Sequence, residues 1–324
     1  MFKFLKNEKK PLFFVHIPKT AGTSFRQALS SKRMLHLDYG KESPVTTNAI
    51  KKYIYKNDDF YALKSDITES KGSIAGHCHL AKYQDFVESS HIVSFVRSPS
   101  SQIISHYNHH AKFNDFSGTF EDFLMSPSYH SIQSKLLKGL PLTLLGVIGV
   151  TERYSESLKL FKAFYGDNLS EHQSNRNTSP KVRSEQIDVN LHKRLTNRGR
   201  ADQALYDAAV EMLDEKLLFL ENCSPQQWVY SHVKLLDNGH LFGCAFYHGE
   251  GSGVVDLELE VAGDLKRLKA NRYFGAFPKA NFPRGRYIGF LSDPINKNDY
   301  DNLTLRVAGT NQVIFDSKKV NSHG

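Results

Sequence analysis

At 324 residues the chain is long enough for one large α/β domain plus a smaller one. An apolar content of 40%, with 22 Phe and 15 Tyr, supplies real cores and excludes a chain disordered throughout. Lys and Arg number 42 against 34 Asp and Glu, a formal charge of +8 that suits a polyanionic ligand as well as it suits plain solubility.

The three cysteines, Cys78, Cys223 and Cys244, are far apart and show no Cys-x-x-Cys spacing. Neither a zinc knuckle nor a disulfide framework is indicated. The opening Met1-Phe2-Lys3-Phe4-Leu5-Lys6 leads through polar residues into a first strand, leaving no room for a signal peptide. No apolar run approaches the ~18 residues of a membrane span. A soluble protein of a reducing, bacterial cytoplasm is expected.

The first element is the most informative. Phe13-Phe14-Val15-His16-Ile17 reads as a buried strand, Pro18-Lys19-Thr20-Ala21-Gly22-Thr23-Ser24 as a tight loop, and residues 25–32 as a helix with Phe25, Ala28 and Leu29 on one face. A strand, a turn and a helix start make an anion cradle, because the first helical amides lack intrahelical acceptors and the helix dipole favours negative charge. Gly22 lets backbone approach a ligand, Thr23 and Ser24 offer hydroxyls, and Lys19 supplies a cation. The order differs from the nucleotide-triphosphate loop G-x-x-x-x-G-K-[ST], where lysine follows the glycines.

Residues 33–72 give no clear pattern. Ser73–Leu80 reads as a short strand leaving through Gly76, and His77 and His79 fall on one face by strand alternation. His91–Val96 is a buried strand ended by Arg97-Ser98-Pro99, with Pro99 suited to the first turn of a helix reaching about Lys112. Arg97 thus stands at a carboxyl strand end, where open α/β sheets bind ligands. Ser105 lies two turns into the helix and can face the same crevice, so guanidinium and hydroxyl make a phosphate clamp. His106, His109 and His110 crowd together, but no carboxylate completes a metal site.

Leu144–Thr151 reads as a second strand-to-helix unit, with Thr151 as N-cap and Tyr154, Leu158, Phe161 and Tyr165 as a helical core face. Helices follow from about Ser184 and across Asp202–Glu221. Strands alternating with helices predict a mainly parallel sheet flanked by helices, a P-loop-like α/β domain over 1–223. Beyond Pro225, short β-rich runs at Trp228–Val233, His240–Phe246, Val254–Val261, Asn302–Val307 and Gln312–Phe315 predict a small all-β sandwich over 226–324.

Pro18-Lys19-Thr20-Ala21-Gly22-Thr23-Ser24 resembles the 5′-phosphosulfate loop of sulfotransferases that use 3′-phosphoadenylyl sulfate (PAPS), and is most similar to the carbohydrate branch that includes the heparan sulfate 2-O-sulfotransferases. An apolar strand, Arg97, and Ser105 eight residues on resemble the 3′-phosphate site of the same family. The resemblance covers about residues 11–222. It implies PAPS as co-substrate, held by Lys19, Thr20, Ala21, Gly22, Thr23, Ser24, Arg97 and Ser105, with no metal. Lys19 would neutralise the bridging oxygen as the bond to sulfur breaks.

The Gly76-His77 pair resembles the catalytic histidine of that branch, so His77 is the first choice of general base and His79 the second. Asn175–Lys181 is similar to a loop that lies over the cofactor, which adds Arg176, Asn177 and Thr178 as contacts. Basic residues from Lys181 to Arg200 either steer an anionic acceptor or form a solvated helix face. The runs 239–245 and 305–310 resemble β-domains attached to bacterial glycan-modifying enzymes.

The expected activity is sulfuryl transfer to a hydroxyl of a carbohydrate. Two other readings stay open: a phosphate-loop kinase or NTPase, for which Asp38 is the nearby acidic candidate, and a catalytically silent glycan-binding protein. A nucleic-acid binder is disfavoured, since no basic-aromatic interleaving stands out.

Overall fold

Phe13–Val15 (β1) is buried at every position, as an unbroken apolar run in the middle of a parallel sheet must be. The computed structural model describes residues 9–113, 115–171, 182, 194–195, 197, 199–222, 227–248 and 253–321. The chain divides into two units, one of Met1–Val87, His91–Gly139 and Val147–Leu213, the other of Glu88–Ser90, Leu140–Gly146 and Asp214–Gly324.

In the first unit β1 is the central strand of a five-stranded, all-parallel sheet with order β2-β3-β1-β4-β5. The partners are Leu35–Asp38 (β2), Ser73–Gly76 (β3), Ile92–Val96 (β4) and Ile148–Val150 (β5). From β1 the chain crosses to the β2 side, returns through β3, and then passes to β4 on the other flank. That reversal opens a crevice beyond the carboxyl ends of β1 and β4. Gly22–Ser30 (α1) follows β1 and buries Phe25 against Phe14, Phe95 and Phe161 at ring separations of 4.7, 4.9 and 5.1 Å.

Residues 33–72, unreadable in the sequence, hold β2, a short helix Asn48–Ile50 (α2) that runs into π-helical Lys51–Lys56, and Phe60–Ser70 (α3). The β2 pattern was hidden because its buried positions are polar, His36 and Asp38, while Leu35 and Leu37 are only half-buried. Asp59 starts α3 by accepting the Ala62 amide at 2.9 Å.

Pro99 opens Pro99–Lys112 (α4) as expected. Phe120–Met125 (α5) begins with a capping box between Thr119 and Asp122, and Ile132–Leu137 (α6) follows. Thr151 does not cap Tyr154–Tyr165 (α7); its hydroxyl donates to the Val96 carbonyl at 2.9 Å and ties the end of β5 to β4. Arg200–Asn222 (α8) slightly outruns its expected span. The helix expected from about Ser184 lies outside the described residues. Among those described, no helix is long and apolar enough to cross a membrane.

The second unit carries two four-stranded antiparallel sheets, β10-β11-β7-β6 and β13-β12-β8-β9. Their strands are Val229–Leu235 (β6), Leu241–Tyr247 (β7), Val255–Val261 (β8), Asp264–Ala270 (β9), Arg272–Tyr273 (β10), Tyr287–Leu291 (β11), Leu303–Val307 (β12) and Val313–Asp316 (β13). Inward residues from both sheets, among them Leu241, Ala245, Phe290, Leu257, Leu259 and Leu305, share one apolar core. Strand β9 escaped the sequence reading because it is an exposed edge reading Asp-Leu-Lys-Arg-Leu-Lys-Ala, charged as edges usually are.

Lys216 on α8 is buried in this second unit. Its ammonium donates to the Gly146 carbonyl at 2.7 Å and lies 5.0 Å from the centre of the Tyr230 ring. Burial pushes its pKa down to about 7, against roughly 10.4 in an unfolded chain. Between those values the unfolded chain binds a proton that the native state has lost, so stability rises with pH across that window. Thermal melts at pH 7 and 9.5 should show this rise in the native sequence and a smaller one in Lys216→Met. An equal rise in both would contradict the assignment.

Candidate functional site

The loop after β1 is held in an unusual shape. Lys19 and Ala21 have positive φ, 66° and 61°, with Thr20 between them. Left-handed backbone is uphill for residues with a Cβ, so the surroundings must impose it. Thr20 is buried and its hydroxyl donates to the Ile17 carbonyl at 3.0 Å; the side chain shapes the loop from inside. Alternating backbone hand of this kind gathers successive amides into an anion-binding concavity. The amides of Gly22 and Thr23 extend it, since they precede the first helical bond of α1, from the Phe25 amide to the Ala21 carbonyl at 3.2 Å.

Side chains from β4 and α4 hold the carbonyl side of the same loop. Ser94 donates to the Val15 carbonyl at 2.7 Å, Gln102 to that of Pro18 at 3.0 Å, and Arg97 Nη1 to that of Lys19 at 3.3 Å. Arg97 is itself fixed through its backbone. Its amide donates to Gln133 Oε1 at 2.9 Å, and Gln133 Nε2 donates to its carbonyl at 2.8 Å. The buried carboxylate of Asp202 accepts the Gln133 and Ser134 amides at 3.2 and 2.8 Å, which anchors α6 under this clamp. The loop and Arg97 therefore share one crevice.

Ser105 is half-buried on α4, one turn beyond Gln102, and His109 and Lys112 continue the same face. Lys19 carries the electrostatic signature of this crowding: burial first, then Arg97 and Lys112, lower its pKa. Arg97 is likewise lowered by burial, while Glu152 opposes the shift, its carboxylate 4.0 Å from Arg97 Nε. Several cations thus face one crevice with Glu152 at its edge, and an entering polyanion would relieve their mutual repulsion.

Gly22 answers a requirement that the sequence did not suggest. A Cβ built there would lie 2.0 Å from Cδ2 and 2.3 Å from Nε2 of His16. Glycine is required because a histidine ring occupies that space. The ring is held in place, stacked on Phe14 at 5.4 Å and bonded through Nδ1 to the Tyr39 hydroxyl at 2.5 Å.

His77 stands directly after β3, exposed at the crevice, with its ring centroid 4.4 Å from His16 and 4.7 Å from Tyr39. The dense protein wall behind it and then the charges of Arg26, His109 and Lys19 push its pKa down to about 4. At neutral pH the ring is neutral and has a proton-accepting nitrogen. His79 goes elsewhere. Strand alternation ends at Gly76, and His79 Nδ1 lies 3.1 Å from the Lys135 carbonyl on α6.

Asp38 is buried at the end of β2, and its carboxylate is fully engaged. Lys82 donates to it at 2.6 Å, the Tyr55 hydroxyl at 2.6 Å and the Tyr83 hydroxyl at 2.7 Å. His106 and His110 meet nitrogen to nitrogen at 3.1 Å among Phe123 and Tyr129. Among the described residues no group of three metal-ligating side chains gathers. Arg176, Asn177, Thr178 and Cys223 lie outside the described residues, as does most of the basic stretch from Lys181.

Sequence reasoning missed His16, Arg26, Tyr39, Gln102, Gln133 and Asp202. For His16 a signal was present, a polar residue closing an otherwise apolar strand. For Gln133 and Asp202 there was none, because their roles depend on contacts 36 and 69 residues away in sequence.

Fold and site together give an α/β protein whose central strand runs through a left-handed loop into a helix start, with Arg97 from the neighbouring strand bonded to that loop. No protein-family model matches the chain, and no curated protein matches its sequence. Among solved structures, a sulfotransferase from Alicyclobacillus acidocaldarius overlaps 62% of this chain and 96% of its own, at 14% identity and a TM-score of 0.38.

Gly22→Ala should force the His16 ring out of its place and cost about 1–3 kcal/mol of stability. Combined with His16→Ala, much of that loss should return in a double-mutant cycle of unfolding midpoints. Strictly additive losses would contradict the contact.

Proposed function

We propose that the chain is a sulfotransferase that moves the sulfuryl group of PAPS to a hydroxyl of a carbohydrate acceptor. The observation that carries this reading is the bond from Arg97 to the Lys19 carbonyl, 3.3 Å, which joins two anion grips at the ends of adjacent parallel strands. A nucleotide with phosphate at both its 5′ and 3′ positions suits such a pair. A single helix-start cradle would serve any phosphate.

In this reading the loop amides, with Thr23 and Ser24, hold the 5′-phosphate, and Arg97 with Ser105 holds the 3′-phosphate. The acceptor oxygen bonds to sulfur as the bond from sulfur to the 5′-phosphate oxygen breaks. That oxygen leaves with the electron pair on adenosine 3′,5′-bisphosphate, and Lys19 offsets its charge. The acceptor proton passes to His77, whose neutral ring is ready for it. His79, bonded to the Lys135 carbonyl, is less suited to the role.

The kinase alternative asks for an acidic strand-end residue to hold Mg²⁺. Asp38 supports it poorly, because a lysine and two tyrosines already saturate that carboxylate. The buried free thiols of Cys78 and Cys244 are in keeping with a reducing, cytoplasmic setting.

Adenosine 3′,5′-bisphosphate should raise the melting temperature more than ADP or Mg-ATP does. Stabilisation by ATP and not by the bisphosphate would end the sulfotransferase reading. Lys19→Ala and Arg97→Ala should lose nucleotide binding or transfer. His77→Ala should keep bisphosphate binding and lower turnover by ~10²–10⁴-fold onto a responsive polysaccharide. Binding without transfer to any acceptor in a broad panel would favour a silent glycan-binding protein.

A further inference from the structure

Three strand ends lie level. Asp38 of β2 and Val15 of β1 both pair with Gly76 of β3. The next residues, Tyr39, His77 and His16, therefore leave the sheet side by side, with His77 in the middle. The Tyr39 hydroxyl reaches past it to His16 Nδ1 at 2.5 Å. The guanidinium carbon of Arg26 on α1 lies 5.3 Å from the centre of the Tyr39 ring, so its charge acts on the same hydroxyl.

The protons of this pair can be assigned. A cation beside a phenol favours the rotor that turns the oxygen lone pair toward it, so Arg26 favours the Tyr39 hydroxyl spending its one proton on His16 Nδ1. Burial pushes the Tyr39 hydroxyl up to about 12, so it keeps that proton. Burial and then the charges of His77, Arg26 and Lys19 hold His16 well below the ordinary histidine range, so the ring stays neutral. Its own proton must therefore sit on Nε2, on the ring edge that faces Gly22.

We propose that the Tyr39–His16 hydrogen bond, oriented by the Arg26 guanidinium beside it, positions His77 by holding it between two rings that do not take up its proton. The proposal rests on the reading of His77 as the proton acceptor. A base flanked by such neighbours keeps the acceptor's proton on its own ring, and its orientation is set before any ligand arrives. The titratable and charged groups acting on His77 are Arg26 on α1, His109 on α4 and Lys19 in the loop. His16 and Tyr39 act as positioning residues and do not touch the reacting atoms.

Nitrogen-15 spectra of the full chain should show His16 neutral with its proton on Nε2 between about pH 5.5 and 8. Tyr39→Phe keeps the ring and removes the link, and should give His16 mixed tautomers. In the same variant kcat should fall between about tenfold and a hundredfold, with the KM for PAPS within about twofold of the native value. His16→Asn, whose amide oxygen can replace Nδ1 as acceptor, should retain more turnover than His16→Ala. A His16 proton on Nδ1, or wild-type turnover in Tyr39→Phe, would overturn the proposal. Should the protein transfer no sulfuryl group, the reading of function fails, and the spectra still decide the Tyr39–His16 bond. In that case the His77 titration must move in Tyr39→Phe, and an unmoved one overturns the positioning role by itself.

Discussion

The site depends on how the β1 loop has its carbonyls satisfied. Ser94, Gln102 and Arg97 bind the carbonyls of Val15, Pro18 and Lys19 from one flank. Without those bonds, left-handed backbone at two residues with a Cβ would relax toward an ordinary turn. With them the loop keeps its hand and its amides collect where α1 begins. Arg97 braces the loop backbone, and in the proposed reading the same side chain also offers charge to the 3′-phosphate. Binding geometry and fold stability are coupled at that residue, so the crevice is preorganised rather than assembled around its ligand.

Charge sets the character of the crevice. Lys19, Arg97, Arg26 and Lys112 stand close enough to depress one another or the neighbouring histidines, with Glu152 as the acid at the edge. Such an arrangement costs stability in the empty protein and is relieved by a polyanion. Burial first, and then Arg26, His109 and Lys19, keep His77 neutral. In the proposed reaction the cations that would attract the nucleotide also add to the burial that leaves His77 able to accept a proton, which links its donor and acceptor halves.

Much of this was legible in the sequence. The strand-loop-helix at 13–30, the strand ending at Arg97 and the helix opened by Pro99 were readable because apolar runs and breakers mark parallel strands and their exits. The sandwich was readable in outline from its short alternating runs. Strand β2 was not, because His36 and Asp38 occupy its buried positions and a carboxylate neutralised by Lys82, Tyr55 and Tyr83 imitates a loop residue. That Gly22 also makes room for the His16 ring was not legible, since nothing local says that the ring folds back onto it. The row of Tyr39, His77 and His16 depends on strand register, which only the assembled sheet defines.

The central claim is that one crevice grips a doubly phosphorylated adenosine at both ends. Calorimetric affinities for adenosine 5′-phosphate and adenosine 3′,5′-bisphosphate, in the native chain and in Arg97→Gln, address it most directly, because glutamine keeps a donor for the Lys19 carbonyl while losing the charge. The account predicts a preference for the bisphosphate on the order of tenfold to a hundredfold in the native chain. That preference should vanish in the variant, with little change toward the monophosphate. A preference that survives the substitution, or an equal loss for both ligands, would contradict it.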